Sequence, residues 1–133
     1  MRRFDLHTHS LQSDGTLAPS ELVTRARTAG VDVLALTDHD VTDGIDEARI
    51  TADRIGITLI AGVEISVTWQ GQTVHIVGLN IDTADHALQQ GLSRLREFRQ
   101  WRAVEIGRRL QKKRIEGAYE GARRLAKGTI VSR

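Results

Sequence analysis

No cysteine occurs among the 133 residues. That excludes disulfides and thiolate metal sites, so any metal ion must be held by nitrogen and oxygen donors. Aromatic residues are scarce, with two tryptophans, two phenylalanines and one tyrosine, which argues against an extended single-stranded nucleic-acid surface built on base stacking. Long apolar runs are also missing. The longest largely apolar stretch, Ile57 to Val63, falls well short of the roughly 20 residues a membrane helix needs. The N-terminus, Met1-Arg2-Arg3-Phe4-Asp5, runs into charged residues without the apolar segment of a secretory signal. A cytoplasmic protein with no membrane partner is therefore expected. Neither a phosphate-binding Walker loop nor a serine–histidine–aspartate arrangement is evident, so a nucleotide P-loop and a serine nucleophile are not expected.

What is present suits one folded domain. Hydrophobic residues make up 40% of the chain, which is ordinary for a globular protein, and the length allows one core but not two. Charge is unevenly distributed. Residues 1–93 carry 6 Lys/Arg against 13 Asp/Glu, whereas residues 94–133 carry 13 against 4. An acidic first part suits cations, and a basic second part suits phosphates or solubility.

The order of elements reads as α/β. Phe4-Asp5-Leu6-His7 is a short strand, followed by a polar loop with Ser13-Asp14-Gly15 as its turn. Pro19 opens a helix that Gly30 closes. Val31 to Thr37 is an apolar run typical of a strand buried on both faces of a parallel sheet. Ile45 to Ile55 forms the next helix and Gly56 stops it; Ile57 to Ser66 is the next strand. Val67-Thr68-Trp69 and Thr73 to Val77, flanking Gln70-Gly71-Gln72, predict a hairpin. Leu88, Leu92, Leu95, Phe98, Val104 and Leu110 predict a long helix with basic outer faces from Ala84 to about Arg114, with a short helix over Ala118 to Ala126. Gly128 to Arg133 begins a further segment. Two strand–helix units and a hairpin do not close an eight-fold barrel, which takes about 250 residues.

Four of the five histidines fall where strands end. His7 and His9 are two apart, so an extended chain aims both the same way. Asp38, His39 and Asp40 follow the second strand, Glu64 lies near the end of the third, and His75 is on the return strand of the hairpin. C-terminal strand ends of parallel α/β folds converge on one crevice. Each piece also has a bland explanation: a solvent-facing histidine pair, a turn histidine between capping aspartates, a satisfied core histidine. Glu64 is harder to dismiss, since an unpaired carboxylate between Val63 and Ile65 costs several kcal/mol. His86, beside Asp85 at a helix start, reads as a surface residue.

Asp5-Leu6-His7-Thr8-His9-Ser10, Leu36-Thr37-Asp38-His39-Asp40, Gly62-Val63-Glu64-Ile65-Ser66 and His75-Ile76-Val77-Gly78 together resemble, in order and spacing, the motifs of the polymerase and histidinol phosphatase (PHP) domain family. Within it the chain is most similar to the nucleoside 3′,5′-bisphosphate phosphatases, a subgroup that includes 5′-to-3′ exoribonucleases of the ribonuclease AM type. The resemblance implies a distorted (β/α)7 barrel, of which residues 1–133 would be the N-terminal part. It implies up to three divalent metals, usually manganese, with iron or zinc as alternatives. His7 and His9 would bind the first, Glu64 would bridge it to a second that uses His75, and Asp14 and His39 would hold the third. Asp5 and Asp38 would orient the histidines. Family members are longer, and their later half supplies another histidine and an Asp-x-His pair, so the chain is expected to be partial, with impaired activity and an exposed sheet edge open to self-association.

The reaction implied is hydrolysis of phosphate esters of nucleotides or RNA 5′ ends, with a metal-bound water rather than a side chain as nucleophile. Arg99, Arg102 and Arg133 are candidate phosphate contacts, although each also fits a solvated basic helix face. The alternatives are a phosphatase of the histidinol phosphate type and a non-catalytic PHP or nucleic-acid-binding module.

Overall fold

Val33-Leu34-Ala35-Leu36 are all buried, because the strand they form has a neighbour on each side and helices over it. The computed structural model describes residues 1–126. Its elements are β1 (Phe4–Thr8), α1 (Pro19–Thr28), β2 (Val33–Leu36), α2 (Ile45–Ile55), β3 (Thr58–Trp69), β4 (Gln72–Leu79), α3 (His86–Lys112) and α4 (Ala118–Leu125). The sheet order is β1-β2-β3-β4. β2 runs parallel to both neighbours, with Val33 opposite Phe4 and Thr58. β4 pairs antiparallel to β3 from Gly62↔Leu79 to Trp69↔Gln72.

Local chemistry sets the helix ends. Pro19 supplies the fixed first-turn φ of α1, and Glu21 accepts a hydrogen bond from the Ala18 N–H at 3.0 Å. α2 ends at Gly56, whose φ of +71° suits a residue without Cβ. One face of α1 buries Val23 and Ala26, and one face of α2 buries Ile45, Ala48 and Ala52. These meet Leu34, Leu36, Ile57 and Ala61 in a single core. Each large aliphatic side chain removed from water there stabilises the fold by about 1.5–3 kcal/mol.

The hairpin turns in two residues rather than three. Gln70 (φ 48°) and Gly71 (φ 78°) are both left-handed, as a two-residue mirror-type turn requires, so Gln72 already pairs with Trp69. Helix α3 starts at Asp85, whose carboxylate accepts from the Leu88 N–H at 2.7 Å. The apolar stripe expected along α3 is only partly covered: Leu92 and Arg99 are buried, while Phe98, Trp101 and Val104 are exposed. β1 is an edge strand with Phe4 and Leu6 exposed. The segment expected to begin at Gly128 lies outside the described residues. No helix among the described residues is long and apolar enough to cross a membrane.

Candidate metal centre

Thr8 and Thr37 lock the ends of β1 and β2 together. The Thr8 hydroxyl donates to the Ala35 carbonyl at 2.6 Å, and the Thr37 hydroxyl to the Thr8 carbonyl at 3.1 Å. His7 and His9 flank Thr8 at this join. Beyond β2, His39 forms an isolated parallel bridge to Glu64, which fixes the β2 loop beside β3. In the β3–β4 ladder Glu64 pairs with Val77 and Ser66 with His75. Glu64 and His75 are therefore diagonal neighbours on one face, within reach of each other.

Asp14 arrives by a tight loop. The N–H groups of Ser13 and Gly15 both donate to the Ser10 carbonyl, at 3.1 and 2.9 Å. A Cβ on Gly15 would stand 2.3 Å from the His9 carbonyl oxygen, so only glycine lets the loop close against the end of β1. Gly15→Ala is expected to cost about 1–3 kcal/mol in stability and to weaken metal binding by displacing Asp14. Thermal unfolding and calorimetric metal titration check both effects.

The side chains converge on Glu64, which is 6% exposed. Its Oε2 lies 2.8 Å from His7 Nε2 and 3.1 Å from His9 Nε2, and its Oε1 lies 3.2 Å from His75 Nδ1. His39 Nε2 stands 3.5 Å from Asp14 Oδ2, while its buried Nδ1 has no hydrogen-bond partner. Three groups have ligand atoms all within 4.8 Å of one another: His7, His9 and Glu64; His9, Asp14 and His39; and His39, Glu64 and His75. Burial holds the His39 imidazole below its ordinary pKa of 6.5, against the upward pull of Glu64 and Asp14, with His9 and Arg99 adding to the lowering. The neutral imidazole this favours is the form that binds metal. For Glu64, burial pushes the carboxyl up, but the His7 hydrogen bond and the charges of His39, His7 and His9 outweigh it, so its pKa lies below 4.5. Four histidine side chains and two carboxylates, with His39 Nδ1 buried without a hydrogen bond and 3.6 Å from Glu64 Oε2, suit a borderline or hard divalent cation.

All six residues expected to ligate metal are thus gathered in one place. The neighbouring aspartates differ from expectation. Asp5 is exposed on the edge strand and makes no side-chain hydrogen bond or ion pair among the described residues. Asp38 is buried, and its carboxylate makes no hydrogen bond or ion pair to a histidine among the described residues. It accepts from the Ser10 N–H (2.7 Å), the Ser10 hydroxyl (2.6 Å) and the Ser13 hydroxyl (2.5 Å), because the loop folds over it and supplies three donors. Its carboxylate is linked to a candidate ligand through Ser13, whose hydroxyl is 3.5 Å from His9 Nδ1. Ser13 gave no sequence signal beyond its place in a turn, and Ser10 none beyond ending the first motif.

Beside the cluster lies a cavity of about 340 Å³, lined by Asp14, His39, Glu64 and His75 together with Ser66, Thr73, Phe98 and Arg102. Arg102 is half-buried on this wall. Arg99 also lines it but is 8% exposed, its guanidinium turned onto Asp40 and Ser66. Arg133 lies outside the described residues.

Residues 5–128 match the family model of the PHP domain. The chain belongs to the PHP domain family. It is 52% identical over 130 residues to a 5′-3′ exoribonuclease of Haemophilus influenzae, covering 98% of this chain and 47% of that protein. A 3′,5′-nucleoside bisphosphate phosphatase of Chromobacterium violaceum is 49% identical over 124 residues, covering 93% of this chain and 44% of that protein. Among solved structures, an amidohydrolase of Chromobacterium violaceum, determined with bound sulfate and no metal, superposes with a TM-score of 0.85 at 49% identity, covering 92% of this chain and 43% of that one. The chain spans about half the length of the curated relatives it matches. Its mixed sheet and helices form part of a PHP-type α/β barrel, as the motifs implied.

Proposed function

We propose that this PHP chain contributes the metal ligands of a phosphoesterase that hydrolyses phosphate esters of nucleotides or of RNA 5′ ends. The observation that carries the reading is Glu64: a buried carboxylate whose two oxygens face different histidines. A neutral imidazole has one free lone pair, so each histidine serves one ion, whereas a carboxylate can serve two. As the family resemblance implies, His7 and His9 with Glu64 would hold one ion, Glu64 with His75 a second, and Asp14 with His39 a third, and the three clusters of ligand atoms are compatible with that sharing. On that sharing the first ion would draw three donors from this chain and the other two would draw two each, which makes the first the expected tightest site. Manganese fits this donor set, and iron and zinc are the alternatives.

Bound divalent ions supply an activated water nucleophile and neutralise charge on the phosphoryl oxygens. The chain's own part is to hold the donors and to shape the cavity. Arg102 faces that cavity as the cation for a substrate phosphate, and Arg133 remains a second candidate. The names of the relatives, a 5′-3′ exoribonuclease and a 3′,5′-nucleoside bisphosphate phosphatase, support a nucleotide or RNA substrate, and with it a cytoplasmic setting. Self-association is part of the same proposal: among the described residues β1 is an edge strand, and concentration-dependent sedimentation of the chain checks it.

The protein expressed from its complete gene is expected to release phosphate from a nucleoside 3′,5′-bisphosphate when manganese is added. Arg102→Ala is expected to raise KM about tenfold or more, as loss of a charge-assisted hydrogen bond implies, with kcat within a few-fold. A preference for histidinol phosphate over nucleotides would overturn the substrate assignment.

A further inference from the structure

We infer that Asp40, Arg96 and Arg99 form a clip that fixes helix α3 against the metal-ligand loop, making Arg99 a positioning residue rather than a phosphate contact. The inference rests on the proposed phosphoesterase site, because α3 carries Phe98 and Arg102 into the wall of its cavity.

The clip begins in the sheet. The Glu64 N–H donates to the Asp38 carbonyl at 3.1 Å, and the Asp40 N–H donates to the Glu64 carbonyl at 3.0 Å. The next bond of this parallel ladder would run from the Ser66 N–H to the Asp40 carbonyl. Asp40 has instead turned into the left-handed region, with φ 55°, where aspartate is one of the few residues tolerated. Its side chain takes over the missing role, and Oδ1 accepts from the Ser66 N–H at 2.9 Å. That turn frees the Asp40 carbonyl, which accepts from Arg96 Nη1 at 2.8 Å.

The second carboxylate oxygen meets Arg99. Arg99 Nε lies 2.6 Å from Asp40 Oδ2, a close ion-pair contact whose N–H is misaligned for a hydrogen bond. Arg99 Nη2 donates to the Ser66 hydroxyl at 2.6 Å. Asp40 is fully buried and Arg99 nearly so. Two of the three guanidinium nitrogens are thus engaged by a carboxylate and a hydroxyl, which ties the side chain to the loop. Arg96 and Arg99 sit one turn apart on α3 and grip opposite sides of one residue, the neighbour of His39. Arg102, one turn further on, takes its place on the cavity wall from that grip.

The test uses the protein from its complete gene, with amide hydrogen exchange over residues 96–102 and steady-state kinetics on a nucleoside 3′,5′-bisphosphate. Asp40→Asn and Arg99→Met are each expected to speed exchange in that part of α3 about tenfold. Each is expected to raise KM about tenfold through misplacement of the wall, with kcat within threefold. The double variant is expected to be no worse than the worse single one, since both break the same contact. Arg99→Lys is expected to behave as Arg99→Met, because an ammonium cannot bridge Asp40 and Ser66 as a planar fork does. A phosphate-contacting Arg99 gives the opposite pattern, with Arg99→Lys retaining most binding and the two single effects adding, and that result overturns the clip. If the wild type ignores bisphosphate nucleotides while the exchange coupling persists, the substrate assignment fails and the clip stands. If hydrolysis proceeds and the coupling is absent, the clip fails and the substrate assignment stands.

Discussion

Glu64→Ala is expected to abolish tight metal binding and to lower phosphate-ester hydrolysis by about a thousandfold or more, the scale of losing several kcal/mol of metal-assisted catalysis. The reason is its place in the cluster. Glu64 Oε2 approaches His7 and His9, and Oε1 approaches His75, so under the proposed sharing one substitution would take a donor from two ions. His7→Ala takes a donor from one ion only, and because His7 is half-exposed at the rim a water can take its place. Metal content measured after purification and dialysis is expected to fall further in Glu64→Ala than in His7→Ala. Equal losses would contradict a bridging role for Glu64. Glu64→Ala also deprives the His7 and His9 nitrogens of their nearest carboxylate, so the effect is not confined to coordination.

Leu36→Ala is expected to have the largest effect on stability, about 2–5 kcal/mol, because a fully buried leucine is removed and the surroundings close only partly. Leu36 is 1% exposed and belongs to the single core. Its side chain also packs beside the starts of α1 and α2: a Cβ on Gly44 would stand 2.9 Å from Pro19 Cγ and 3.2 Å from Leu36 Cδ2. The midpoint of chemical denaturation is expected to drop with little change in slope. Metal content per folded molecule is expected to hold, since Leu36 supplies packing and no donor. The two substitutions therefore separate fold from site: one lowers stability at constant metal content, the other lowers metal content.

Much of this fold is written locally. The run from Ile45 to Ile55 closed by Gly56, the four buried apolar residues of β2 and the Asp85 start of α3 each follow from periodicity or capping within a few residues. The candidate ligands stood out for a different reason: imidazoles and a carboxylate recur at strand ends, in the order and spacing of the PHP motifs. What was not legible depends on contacts distant in sequence. Asp38 could serve the histidines or the loop, and only the fold shows three donors from Ser10 and Ser13 reaching it first. Arg99 sits in a basic segment and reads as a solvated face. Its burial follows from Asp40, 59 positions away, waiting with a free carboxylate oxygen. The extra loop residue assigned to the hairpin reflects a finer ambiguity, since Gln72 is as acceptable in a turn as at a strand start.

Anomalous diffraction from crystals of the complete-gene protein grown with manganese tests the central claim most directly. The strongest peak is expected between His7, His9 and Glu64 Oε2, with weaker peaks at Glu64 Oε1 with His75 and at Asp14 with His39. Peaks confined to places remote from Glu64, or none at saturating manganese, would contradict the account.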